Sequence, residues 1–197
     1  MRGWNDDPFT KKARREDFAA RSVYKLEEID RRERILKGAR LVLDLGAAPG
    51  SWTQYCLKAY SAARVVAVDL SPLQLPSDPR LTFLHGSIEH VDLAGALGGA
   101  KADVVLSDMA PKTSGQSFRD VALSIGLAEL AFEMAKRHLK PGGNFAVKIF
   151  MGEGFEEYRA MVRKHFEEHS LLRPSSTRKH SREIFLSAKG FKPELTH

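Results

Sequence analysis

The sequence predicts an α/β domain built on a doubly wound, mainly parallel sheet. Three observations carry that expectation. Short β-branched apolar runs alternate with helical segments along most of the chain. The first such run breaks into a loop of small residues that opens a helix, and the second ends in an aspartate about twenty residues farther on. In open sheets of this kind, Rossmann-like in their winding, ligands bind beyond the carboxyl ends of the strands.

Taken in order, residues 1–20 are polar and basic, with Lys11, Lys12, Arg14 and Arg15 near Phe9 and Phe18, and read as a loosely ordered arm. From Ser22, the spacing of Val23, Leu26 and Ile29 predicts a helix that Gly38 stops. It precedes the first strand and so lies outside the minimal alternating fold. Residues 40–45 form a buried strand, 64–68 a second that ends in Asp69, and 70–79 a proline-rich loop that excludes regular structure. Residues 81–84 read as a third strand, 92–97 as a short helix and 103–106 as a fourth strand whose exit loop is 107–112. A long helix is expected over 120–139, with Leu123, Leu127, Leu130, Phe132 and Met134 as its buried stripe and Pro141-Gly142-Gly143 as its stop. Residues 144–150 form a fifth strand, 154–166 a helix and 182–187 the last strand. The 197 residues suit one domain, over 21–190, followed by a tail at 191–197.

Composition narrows the partners. The chain carries 31 Lys+Arg against 25 Asp+Glu, a formal charge of +6, which suits a polyanion such as nucleic acid or simply a soluble surface. Cys56 is the single cysteine, which excludes an internal disulfide and a cysteine metal cluster and fits a reducing compartment. The seven histidines show no metal-ligand spacing. The first residues lack the apolar segment of a signal peptide and no run reaches membrane-spanning length, so the expected location is cytoplasmic and away from membranes.

The stretch Asp44-Leu-Gly-Ala-Ala-Pro-Gly-Ser-Trp52 is the candidate ligand loop. Gly46 and Gly50 remove Cβ atoms where a cofactor would approach the main chain, and the helix from about Ser51 points its N-terminus at the same spot. Asp69 is placed to accept hydrogen bonds from the 2′- and 3′-hydroxyls of a ribose. A plain turn capped by Asp69 is the alternative. A dinucleotide cradle is a poor match, because Ala48 and Ser51 stand where the second and third glycines belong. Asp44 would repel a pyrophosphate and favour the ammonium and sulfonium of S-adenosyl-L-methionine.

Asp108, Lys148 and Glu183 interrupt runs that are otherwise apolar. A lysine inside a central strand is costly unless it is paired or emerges at the sheet's end. A Lys148–Asp108 salt bridge that only tidies the sheet would account for two of them. Together they also fit one reaction, methylation of a ribose 2′-hydroxyl, which needs a proton acceptor behind the attacking oxygen. Lysine serves only if its ammonium is destabilised, by burial or by a second cation. Lys25 is the candidate second lysine, although with Val23 and Leu26 on the core face a solvated Lys25 is the simpler expectation.

The motifs Ser22-Val-Tyr-Lys-Leu26, Asp44 to Trp52, Ser107-Asp-Met-Ala-Pro111, Pro141-Gly-Gly143 with Lys148, Gly152-Glu-Gly-Phe155 and Ser181-Arg-Glu183 resemble those of the RrmJ/FtsJ family of ribose 2′-O-methyltransferases, in order and at the family's spacing. The resemblance runs from about residue 17 to residue 190. It implies a seven-stranded sheet of the S-adenosylmethionine-dependent methyltransferase type and a catalytic tetrad of Lys25, Asp108, Lys148 and Glu183. Lys148 would accept the proton, Asp108 would orient it near the donor methyl, and Lys25 with Glu183 would hold the ribose. Gly50 and Trp52 would contact the cofactor's methionine end, Gly46 would belong to the same cofactor-binding loop, Asp69 would hold the cofactor's ribose, and Ser87 would stand where the family usually places an aspartate against the adenine. The implied substrate is a uridine of large-subunit ribosomal RNA, within the large ribosomal subunit, engaged by the arm and by Arg173, Arg178, Lys179 and Arg182. No metal is implied, and the protein is expected as a monomer. Transfer RNA or a messenger cap is the alternative substrate, and a non-catalytic RNA-binding protein or a nicotinamide-dependent oxidoreductase the alternative class.

Overall fold

A computed structural model describes residues 7–112 and 114–193. The first part of the expected arm, 1–6, and the end of the expected tail, 194–197, lie outside the described residues. Seven strands form one sheet in the order β3-β2-β1-β4-β5-β7-β6. They are β1 (Leu41–Leu45), β2 (Arg64–Asp69), β3 (Leu81–His85), β4 (Ala102–Ser107), β5 (Leu139–Phe150), β6 (Phe166–Leu172) and β7 (Glu183–Phe191). The first five pair in parallel, while β7 runs antiparallel to both β5 and β6. The chain winds outward from β1 to β3, then crosses to β4 on the other side of β1. That reversal leaves a crevice at the carboxyl ends of β1 and β4.

Six helices accompany the sheet among the described residues: α1 (Pro8–Arg15), α2 (Val23–Glu33), α3 (Ser51–Ala59), α4 (Leu93–Ala96), α5 (Ser117–His138) and α6 (Phe155–Lys164). Strand parity sorts the core into two layers. Leu43, Leu45, Val105, Phe145, Val147 and Leu186 face α4, α5 and α6. Val42, Ala67, Leu106, Ala146 and Phe185 face α2 and α3, against Leu26, Ile29, Trp52 and Cys56. The same parity matters for chemistry. Asp44 lies two residues beyond Val42, Asp108 two beyond Leu106, Lys148 two beyond Ala146 and Glu183 two before Phe185, so all four belong to the α2/α3 face.

Several elements depart from the sequence expectation. The arm is not loosely ordered over Pro8–Arg15, where Asp7 accepts a hydrogen bond from Thr10 N at 3.0 Å and Pro8 occupies the first turn. This helix buries Ala13 and sets Phe9 5.7 Å from the Tyr24 ring. β6 was not individually legible because its Glu167, Glu168 and His169 break the apolar alternation, as suits an edge strand paired on one side only. α5 buries Val121, Ser124, Ala128, Ala131, Phe132 and Met134, whereas Leu123 is 45% exposed and Leu127 and Leu130 are only partly covered. Its small residues, not its leucines, meet the sheet. Pro141-Gly142-Gly143 lies within β5, where Leu139 pairs with Ala102 and Asn144 with Val104, so the intervening residues bulge out and Gly142 takes φ +74°.

Candidate active site

The tetrad residues come together at the carboxyl ends of β4 and β5. Lys148 is 7% exposed, and its Nζ donates to Asp108 Oδ1 at 2.7 Å and to the Asp108 carbonyl. On the neighbouring strand, Glu183 takes the Lys25 ammonium between its two oxygens, at 2.7 and 2.8 Å. Register ties the pairs together. Phe185 lies opposite Lys148 across the β5–β7 ladder, and Lys25 Nζ stands 5.7 Å from the Phe185 ring centroid. Lys25 is therefore not solvated, since its side chain is only 13% exposed. α2 delivers it because Val23 and Leu26 anchor the helix in the core and Trp52 Nε1 donates to the Ser22 carbonyl at 2.9 Å, fixing where the helix starts. Thr177 Oγ1 adds a 3.4 Å contact to Glu183 from the loop before β7.

A cavity of about 450 Å³ opens on the other side of Asp108. Gly46, Asp69, Ser87 and Asp108 line it, together with Glu89 and Met109, which were not expected as ligand contacts, and Leu127 and Leu130, which were expected in the core. Asp69 accepts from Ala48 N at 2.9 Å and from Ser71 N at 2.7 Å, so it both caps the turns and faces the cavity. Each carboxylate oxygen keeps a further lone pair for a ligand hydroxyl. Ser87 Oγ accepts from Glu89 N at 3.4 Å. Leu127 and Leu130 give the cavity an apolar wall, which explains why they are not core residues.

Two of the expected cofactor residues do not line this cavity. The Trp52 side chain is 2% exposed and packs on Phe185 with ring centroids 5.7 Å apart, so it belongs to the core and not to the cavity. Gly50 does not line the cavity either. Leu75 of the proline-rich loop lies over it, 2.6 Å from where a Cβ would stand, and Gln74 N donates to the Pro49 carbonyl at 2.9 Å. Gly46, at φ +73°, similarly makes room for Met109. What this loop offers a ligand is backbone: the first N–H groups of α3, which have no partner within the helix.

Asp44 lies behind the cavity wall. It is fully buried beneath the loop, where Oδ2 accepts from Thr53 Oγ1 at 2.6 Å and Oδ1 has no partner among the described residues. Burial pushes its carboxyl up to about 7, against the hydrogen bonds from Thr53, and the nearby Asp108 and Asp69 push the same way. Asp69 and Asp108 thus put two carboxylates on the cavity wall, with the Asp44 carboxyl buried behind them, an arrangement that fits a cationic ligand and opposes a phosphate. The folded state holds the Asp44 proton at pH values where an unfolded carboxyl, near about 4, has lost it. Its stabilisation is full below about 4 and is lost as pH rises to about 7. Asp44→Asn should flatten the decline of Tm across that window, read by thermal unfolding from pH 4 to 8. An unchanged slope would place the titration elsewhere.

Comparison with known proteins decides the family. Residues 18–191 match the family described as FtsJ-like methyltransferase. The chain belongs to that family. FtsJ-like proteins named ribosomal RNA large subunit methyltransferase E include those of Marinobacter nauticus, 43% identical over 95% of this chain and 92% of that protein, and of Desulfatibacillum aliphaticivorans, 44% identical over 93% and 89%. A crystal structure described as that of a ribosomal RNA methyltransferase from Plasmodium falciparum superposes with a TM-score of 0.79 and 25% identity, covering 90% of this chain and all of that one. The chain is therefore an α/β methyltransferase enzyme, and FtsJ-like methyltransferases in general use S-adenosylmethionine.

Proposed function

We propose that this FtsJ-like protein transfers a methyl group from S-adenosyl-L-methionine to a ribose 2′-hydroxyl, of a uridine, in large-subunit ribosomal RNA. The names of its relatives support the RNA class. The observation that carries the reaction is the placement of the tetrad. Asp108 lines the 450 Å³ cavity and is bonded to Lys148, while Lys25 and Glu183, on the neighbouring strand's side of Lys148, line a second cavity. A donor on one side and an acceptor on the other would meet at Lys148.

In the 450 Å³ cavity, Asp69 would hold the cofactor's ribose and Ser87 would accept from the adenine amino group, with Glu89 next to it. The backbone at Gly46, Gly50 and Trp52 would meet the methionine end once the Leu75 side chain moves off Gly50. Bound there, the cofactor would supply an electrophilic methyl on a positively charged sulfur, which the Asp69 and Asp108 carboxylates suit. Lys148, in its neutral amine form, would take the proton of the 2′-hydroxyl as that oxygen bonds the methyl carbon, and the sulfur–methyl bond would break to leave a neutral thioether. Asp108 fixes the amine, and the Lys25–Glu183 pair holds the ribose. Displacement from a sulfonium requires no metal, and we propose a metal-free reaction by a cytoplasmic monomer.

Incubation with labelled S-adenosylmethionine, using large ribosomal subunits, naked ribosomal RNA and transfer RNA in parallel, tests this reading. Label on a ribose of the subunit is the expected result, and label on transfer RNA alone would transfer the assignment to that substrate. The net charge of +6 adds an expectation about binding. Raising salt from about 50 to about 200 mM should weaken RNA binding by an order of magnitude or more, through counterion release. A flat response in a filter-binding titration would take the basic residues off the phosphates.

A further inference from the structure

Beside the tetrad, on the side away from the cofactor cavity, lies a cavity of about 220 Å³ lined by Arg21, Ser22, Lys25, Ser176, Arg178 and Glu183. We propose that it seats one backbone phosphate of the nucleotide whose ribose is methylated, with the Ser176 hydroxyl as a donor to it; the inference rests on the ribose-methylation reading above.

The serines separate the built site from incidental polarity. Ser22 Oγ is engaged by Ser51 Oγ at 2.6 Å, and Ser181 Oγ, also on the cavity wall, accepts from Glu183 N at 3.1 Å. Ser176 is different. It is 1% exposed, lines the same cavity, and its Oγ has no partner among the described residues. A buried hydroxyl left without a partner costs free energy that a bound acceptor would return.

Its surroundings are cationic and fixed. Arg21 donates to the Ser176 carbonyl and to Asp7, which holds the guanidinium at the wall. The neighbouring Ser175 is tied to α2, giving N–H and Oγ to Glu28 at 2.7 and 2.8 Å. The one carboxylate on the wall, Glu183, is neutralised by Lys25. Arg21, held by Asp7, and Arg178 place two guanidinium groups on the wall, and such planar groups match phosphate oxygens.

Location selects phosphate over other anions. Lys25 and Glu183 belong to both the tetrad and this cavity, so an occupant here is adjacent to the ribose under attack. The volume accommodates a phosphodiester and leaves the base outside. Such a contact positions the nucleotide without reading its sequence. Ser176 would be a substrate-positioning residue, raising the local population of correctly placed 2′-hydroxyl.

Methyl transfer to large ribosomal subunits tests the site. Ser176→Ala should raise KM for the subunit about tenfold, the worth of one hydrogen bond to a charged group. Its kcat and S-adenosylhomocysteine affinity should stay within twofold of the parent. Ser176→Asp should raise KM further by repulsion. Sulfate, compared with chloride at equal ionic strength, should compete with the subunit in the parent protein and ten times less in Ser176→Ala. An unchanged KM in Ser176→Ala, or sulfate no more inhibitory than chloride for the parent, would overturn the proposal. Failure of the parent to methylate subunits would instead overturn the substrate assignment, and the site would then be judged by whether sulfate raises the Tm of the parent more than that of Ser176→Ala.

Discussion

Lys148→Ala should lower methyl transfer by about 1,000-fold, within the range that positioned proton transfer contributes, while S-adenosylhomocysteine binds within threefold of the parent. The asymmetry follows from where the side chain sits. Lys148 is bonded to Asp108 on the α2/α3 face and does not line the 450 Å³ cavity, so its loss would remove the proposed proton acceptor without removing a proposed cofactor contact. Lys148→Arg sharpens the test. Arginine keeps the positive charge beside Asp108 but does not give up its proton in a protein, so it preserves the ion pair and forfeits the acceptor. If Lys148 only neutralises Asp108, the arginine variant should work nearly as well as the parent. If it accepts the proton, both variants should be equally inactive in a single-turnover assay, with cofactor affinity read separately by calorimetry.

The same residues explain how far the sequence could lead. Asp108, Lys148 and Glu183 were visible because each is a charge in a run of buried apolar residues, an arrangement that needs a partner. Asp69 was visible through its distance from the first loop. Lys25 was not: its partner Glu183 lies 158 residues away, and helical periodicity reports which neighbours are buried but not what a flanking lysine reaches. Before the motif resemblance it was only a candidate second lysine, with solvation the simpler expectation. Trp52 shows the opposite failure. An aromatic residue in a ligand loop invites a binding role, yet its indole is spent fastening α2 to α3 through the Ser22 carbonyl. Leu127 and Leu130 fit the helical stripe but face the cavity, because the close approach of α5 to the sheet is made by Ala128, Ala131 and Ser124. Ser176 carried no sequence signal, since its significance is a missing partner inside a folded loop.

Glu183→Ala should be the most destabilising of the tetrad substitutions, and how it fails would separate holding from chemistry. Lys25 and Glu183 are 13% and 11% exposed, so neither charge is well hydrated. Their mutual bonds at 2.7 and 2.8 Å compensate that loss only while both are present. Removing the carboxylate strands an ammonium against the Phe185 ring, at a cost of about 3 kcal/mol, which lowers Tm by roughly 10 °C in a domain of this size. Replacing both partners, as in Lys25→Met with Glu183→Leu, leaves no uncompensated charge and should recover most of that loss. Activity should not follow stability back. The double variant lacks the groups proposed to hold the ribose and should remain about 100-fold below the parent, within what misplacement of a reactant can cost. Thermal unfolding and single-turnover transfer on the same preparations check both halves. Recovery of transfer alongside Tm would show that the pair serves the fold alone and would confine the proton chemistry to Lys148 and Asp108.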